Sequence, residues 1–428
     1  LRISDSTLNT SDGTSWNVTC ENLSITGGNL TANASTITVS GDWSTPDVAD
    51  LFTANTSTVD FTGTGTISNT NWFNNFYRVK VAASGQTTTC NTRFNCRFLE
   101  IGAGTLDMQN QSVGCGIGAT DGQKILTTDA SATVTGTSEI YLNTPSTGTT
   151  DADGGSYPDI RVTRNASGVV RIVTRDLTVT NSLVAWEGIL DLNDFDLTTN
   201  YLGVGQSWAA SNGAELRCGT GSIDVANNVT LYNGGGAPIV TLTLEACSLF
   251  VGGSFNVQSG MTMTGGTSTV IMDATSGTET ITSSGQSFNN LTFSGTGGTW
   301  QLTDALSCNG TLNVIDGTFN TSNGTDYNVT CGALDLDGGN MTANSSTITV
   351  NGDVSVSSGT GRFSLGTSSL VLGATGTIAN TNWENRFYDV TQNNGVVTTL
   401  SGGTYVDHDF TSGDATSTVE ASGGHTLF

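Results

Sequence analysis

Sliding the sequence against itself by 311 residues aligns Leu1–Val79 with Leu312–Val390 without a gap, and about 42 of the 79 positions are identical. WNVTCENLSITGGNLTANASTITVSGDWS from Trp16 matches YNVTCGALDLDGGNMTANSSTITVNGDVS from Tyr327, and GTISNTNWFNNFYRV from Gly65 matches GTIANTNWENRFYDV from Gly376. Weaker copies of the second half begin at Ser138 and Ser268, and their aromatic anchors are Phe76, Tyr157, Phe288 and Phe387. A chain built this way grows along one axis, so length alone does not set the number of domains. The duplication divides it into a first copy over 1–80, intervening divergent coils over 81–311, a second copy over 312–391 and continuing coils over 392–428.

Inside each copy, short alternating segments recur every 19 to 23 residues or so. SCNGTLNV at Ser307, TCGALDL at Thr330 and TVNGDVSV at Thr349 superpose, which places Cys308, Cys331 and Val350 at one position and Leu312, Leu334 and Val354 at the next inward one. Strand alternation turns Asn313, Asp335 and Ser355 outward. The residues between segments are Gly, Asn, Asp, Ser and Thr, those of tight turns. Because the same strand order repeats in the same direction, equivalent strands stack in parallel, each coil adding about 4.8 Å. The fold class predicted is all-β, a right-handed parallel β-helix (β-solenoid) of stacked coils of roughly 19–25 residues, with roughly 19 coils in all.

Composition agrees. Gly, Thr, Ser and Asn dominate, prolines number only four and charged residues are 12%, which leaves no material for long helices. The net charge is −24, and only Lys80 and Lys124 are lysines. Such a field repels a phosphate backbone, so nucleic acid is not an expected partner. No run approaches the ~20 apolar residues of a membrane-spanning helix.

The unit from Ser287 to Val356, with its Phe-x-Asn-Leu opening and closing alternating strand, resembles the recurring units of filamentous-haemagglutinin-like secreted β-solenoid proteins, the surface adhesins and filaments of bacteria and archaea. The resemblance implies an extracellular, cell-surface location and a structural or adhesive, non-enzymatic role, and it carries over no catalytic residue. The expected function is a rigid rod in a surface filament or adhesin. The alternative is a phage or virus tail fibre that binds a host glycan, with a polysaccharide-degrading β-helix enzyme behind it. Neither end shows a polar cap, so the expected partners are identical subunits stacked head to tail or further domains of one polypeptide, with surface glycans as a further candidate.

Modification sites follow from the same setting. Asn-x-Ser/Thr triplets make Asn17, Asn29, Asn33, Asn55, Asn165, Asn228, Asn323, Asn340 and Asn344 candidate glycan acceptors, although a chain rich in Asn, Ser and Thr produces such triplets by chance. Cys90 with Cys96, and Cys308 with Cys331, are candidate disulfides or stacked core thiols. No catalytic, cofactor or metal set emerges. Asp191, Asp194 and Asp196 in LDLNDFDL read as an acidic outer face with Leu190, Leu192, Phe195 and Leu197 inside. With Arg161, Arg164, Arg171 and Arg175 they suggest a stripe of both signs, a solvated ladder sooner than an active site. DADGG at Asp151 reads as a polar turn, and GGGAP at Gly234 lacks the helix and Lys of a phosphate loop. His408 and His425 have no partner suggested by spacing. Trp72 and Trp383 are expected as core or cap anchors, while Trp16 is open to either reading.

Overall fold

The computed structural model describes residues 1–71, 74–206, 213–234, 239–359, 361–421 and 427–428. Among these every regular element is a strand, and the strands stack into about 18 turns of a β-solenoid. Trp72, His425 and all but the first residue of GGGAP lie outside the described residues. Two compact units divide the chain, one containing Leu1–Arg217 and the other Cys218–Asn233 with Ile239–Phe428.

In the first unit the early coils have three faces. One is a seven-stranded parallel sheet running from Arg2–Ile3 through Leu23–Ile25, Trp43–Thr45 and Gly65–Asn69 to Thr133–Thr135. A second, of three strands, stacks Thr7–Asn9, Asn29–Thr31 and Phe52–Thr53. The third carries Val18–Cys20, Thr36–Val39, Thr58–Phe61, Phe76–Val81 and Phe94–Ile101. Inward Val, Ile, Leu and Phe form the core; the rings of Trp43, Phe52, Phe76 and Phe94 lie edge-on or tilted at 5.0–5.7 Å.

The second unit repeats this register residue for residue. Val18↔Ile37 and Cys20↔Val39 become Val329↔Ile348 and Cys331↔Val350. The ladders Cys308–Cys331–Val350 and Leu312–Leu334–Val354 form as the superposed segments predict, with a bulge between them after Cys308, and all six side chains are buried. The aromatic anchors Phe76, Tyr157, Phe288 and Phe387 are buried as well.

Four expectations change. Coil steps range from 18 residues, as between Thr87 and Thr105, to 28, as between Asp107 and Thr135, because turns absorb inserted residues without altering strand stacking. DADGG is not a turn but the middle of the 15-residue strand Thr149–Thr163, with a bulge between Asp153 and Gly155. Its acids are neutralised from neighbouring strands, Asp151 by Arg171 at 2.8 Å and Asp153 by Lys124 at 2.6 Å, which is why a strand tolerates them. Phe195 is only half-buried, since Asn193 and Asp194 adopt left-handed φ values of 52° and 67° and interrupt the alternation. Trp383 is 57% exposed beside Arg386 and anchors no core; among the described residues the buried tryptophans are Trp43 and Trp300, and Trp16 is exposed with its Nε1 donating to Asp12 Oδ1.

Candidate functional site

The outward face of the first unit gathers side chains that an inert exterior would not need. On Phe76–Val81 and Phe94–Ile101, Tyr77 and Phe98 meet edge to face at 5.3 Å, with Arg78 and Arg97 over the rings. Further along the same stack, Tyr141 and Arg161 are paired neighbours on adjacent parallel strands. The Arg161 guanidinium lies 4.2 Å from the Trp186 ring and 5.7 Å from that of Tyr141, and its charge is met by Glu139. Arg93 sits over the other side of this group, 5.4 Å from Tyr141.

Between them is a hollow of about 290 Å³, lined by Arg93, Asn95, Tyr141, Asn143, Arg164 and Trp186. The buried Asn143 forms its floor, donating to the Cys115 carbonyl at 2.6 Å and accepting from Arg164 Nε at 2.6 Å. That bond helps hold Arg164 at φ 111°, a left-handed value that costs a residue with a side chain on the order of 1–3 kcal/mol. Arg93 also borders a second hollow of about 600 Å³ with Asn69, Thr70, Thr92 and Gln111.

The arginine stripe foreseen in the sequence is thus divided. Arg161 and Arg164 belong to this hollow. Arg171 forks onto Asp151 with Nε at 3.0 Å and Nη2 at 2.8 Å, and Arg175 donates to the Thr128 carbonyl at 2.7 Å. Asp191 turns its carboxylate onto the Asn193 amide, and Asp194 and Asp196 are exposed. Tyr141, Arg93 and Trp186 were missed by sequence reasoning; they come from three different coils of unequal length, and only their excess of Arg and aromatic character in an acidic chain signals them.

His408 lies in the strand Val406–Thr411 and stacks on Tyr388 at 4.9 Å. Its Nδ1 is 2.8 Å from Asp389 Oδ1 on the neighbouring strand, and ligand atoms of Asp389, His408 and Asp409 all lie within 4.8 Å of one another. The hydrogen bond to Asp389, and then the charge of Asp409, raise the imidazole pKa. The group is largely exposed, an ion-pair cluster of two carboxylates on one imidazole that stays net negative even when His408 is protonated.

The triplet asparagines divide by what their amides do. Asn33 and Asn344, equivalent in the two copies, take φ values of 50° and 54° and spend Nδ2 on Asn9 and Asn320 Oδ1 at 2.7 Å. Asn165 Nδ2 donates to the Thr144 carbonyl at 2.9 Å. Asn17 and Asn228 use Oδ1 to receive backbone amides of the following coil, while Asn29, Asn55 and Asn323 are exposed and Asn340 half-buried. A glycan on Asn33 or Asn344, whose Nδ2 atoms each meet several acceptors, would have to break one of these bonds.

Cys90, Cys96, Cys308 and Cys331 are free thiols. Cys90 and Cys96 belong to different faces of the coil, and Cys96 Sγ contacts the Gly114 carbonyl. Cys308 and Cys331 are stacked neighbours on paired strands, with burial raising their pKa values to about 11 and about 12.

The chain matches no family model, no curated protein and no solved structure. The likeness to filamentous-haemagglutinin-like units therefore rests on the quoted motifs alone.

Proposed function

We propose that this chain is a rigid, non-catalytic segment of an extracellular surface filament or adhesin. What carries the reading is where the outer polar side chains go. Asn17, Asn22, Asp42, Asn228, Asn290, Asn328 and Asp353 each accept a backbone amide from the next coil at 2.7–3.0 Å. Polar groups committed to the neighbouring coil stiffen a stack and are withdrawn from chemistry on a substrate. An exterior rich in Thr, Ser and Asn with two lysines suits exposure to proteases that cleave at lysine, and the Arg–aromatic hollow gives the surface one place with recognition character.

The test is incubation with acidic and neutral polysaccharides while newly formed reducing and unsaturated ends are measured. No release is expected from any of them. Release that persists in a recombinant, contaminant-free sample would overturn the non-catalytic reading. Protease shaving of intact source cells, with the chain lost from the surface fraction, tests the location.

A further inference from the structure

The cationic residues are unevenly placed. Nine of the thirteen lie between Arg78 and Arg175, where they meet only eight carboxylates, so this stretch is about neutral in a chain of net charge −24. Most of the nine are spent. Lys80 pairs with Glu100, Lys124 with Asp153, Arg161 with Glu139 and Arg171 with Asp151, while Arg97 donates to Gln123 and Arg175 to backbone carbonyls. Arg93 is different: exposed, held beside Tyr141, and without a carboxylate or hydrogen-bond acceptor among the described residues. Arg164 commits only Nε, to Asn143, and is held at a left-handed φ while doing so. Thr92 Oγ1, in the adjoining hollow, is buried and has no hydrogen-bond partner among the described residues.

We propose that the two hollows joined at Arg93 bind an oligosaccharide bearing isolated carboxylates, a uronate or a sialic-acid-type sugar. The guanidinium forks of Arg93 and Arg164 match a carboxylate in bidentate geometry. Tyr141 and Trp186 line the hollow, each with an arginine over part of its ring, and offer their remaining surface to the apolar face of a sugar, while Asn95 presents its amide at the floor. Length also fits: Phe94↔Val113↔Ile140↔Ile160↔Leu183 is four strand steps, about 19 Å of continuous face. A single-stranded nucleic acid offers the same ring faces, but with a charge on every nucleotide it meets the field of −24 with only Arg93 and Arg164 at the groove to offset it. A sugar chain with fewer carboxylates than residues is repelled less.

This deepens the adhesive reading and rests on it, yet it fails separately. If the groove binds no sugar, the non-catalytic solenoid stands; if sugars are cleaved, that reading falls while the groove remains. The experiment is calorimetric titration of the full chain with hexagalacturonate, its methyl ester, sialyllactose, lactose and a single-stranded thymidine oligomer. Binding of at least one carboxylate sugar at millimolar concentration or below is expected, with its neutral counterpart weaker by about tenfold or more. Arg93→Ala and Arg164→Ala should each weaken the acidic sugar by a similar factor, and Arg93→Lys should recover part of the loss. Trp186→Ala should weaken acid and ester alike. Arg386→Ala, in an exposed pair with Asp407 in the second unit, is the control and should change nothing. Unchanged thermal midpoints show that the variants fold. The proposal is overturned by equal affinity for acid and ester, by no binding of either carboxylate sugar, by an Arg93→Ala variant that binds as the parent does, or by preference for the thymidine oligomer.

Discussion

At the scale of single residues, the cysteines show how alternation and stacking together determine chemistry. Cys308 and Cys331 point inward with Leu306 and Val329 two residues earlier, a bulge then shifts the register ahead of Leu312 and Leu334, and Cys90, Cys96 and Cys115 are buried as well. Desolvation of the thiolate pushes Cys90, Cys115 and Cys331 to about 12, and Cys96 well above the ordinary thiol value. Thiolate is the reactive form, so these positions are chemically silent while the coils hold. Cys20, half-exposed near the start of the stack, is the exception. Iodoacetamide at about pH 8 should therefore label Cys20 in the native chain and leave Cys90, Cys96, Cys115, Cys308 and Cys331 unlabelled until denaturant is added. Peptide mapping that finds native label at Cys331 would mean that the inward ladder opens. This ladder was legible in the sequence because three short segments superposed on their turn residues. The partner of His408 was not, since Asp389 lies 19 residues earlier and nothing local marks it as a neighbour.

Strands and turns explain why the two copies stayed alike where they did. Gly41 with Gly65 and Gly352 with Gly376 recur at the 311-residue offset, and a Cβ at Gly65 or Gly376 would lie 2.1 or 2.2 Å from the carbonyl oxygen of the glycine one coil before. Backbone meets backbone there, so neither side can give way by a rotamer change. Gly376→Ala is expected to cost about 1–3 kcal/mol as an overpacking substitution, whereas Thr377→Ala on the same strand should stay within about 0.5 kcal/mol. Comparable urea midpoints for the two variants would contradict the close approach. Asn33 and Asn344 are conserved between copies for a related reason, bridging to Asn9 and Asn320 from a left-handed turn. The sequence displayed these residues as triplets for glycosylation, and only the coil-to-coil geometry reveals their amides as structural. DADGG misled in the same way: Gly and Asp read as a turn, while Lys124 and Arg171, on adjacent strands, turn the segment into a charged strand. Strand faces were legible because alternation is a local signal; the Arg93–Tyr141–Arg164–Trp186 hollow was not, because it depends on how many residues each intervening coil inserts.

For the molecule as a whole, charge is the quantity that couples distant parts. Thirty-seven carboxylates against thirteen cationic residues leave the folded chain repelling itself at neutral pH. Burial raises the pKa of Asp60, Asp159, Asp273 and Asp335, each with desolvation as the first cause. A carboxyl group raised on folding binds its proton more tightly in the native state, so it destabilises the fold above its native pKa and this penalty is relieved as pH falls toward the unfolded value of about 3.9. Asp12, Asp129 and Asp414 are lowered by hydrogen bonds of their own turns, and as depressed groups their contribution is lost only below the ordinary aspartate range. Between neutrality and about pH 4.5 the raised group and the falling net charge therefore act in one direction. The thermal midpoint in low salt is expected to rise from about pH 7 to about pH 4.5, and added salt at pH 7 should recover part of that rise by screening. Asp335→Asn supplies the internal check. It removes one desolvated charge from a half-buried outward position, so its midpoint should equal or exceed the parent's at pH 7 and gain less on acidification. A midpoint that falls monotonically on acidification from pH 7 in both proteins would show that the desolvated carboxylates Asp60, Asp159, Asp273 and Asp335 do not govern the pH dependence.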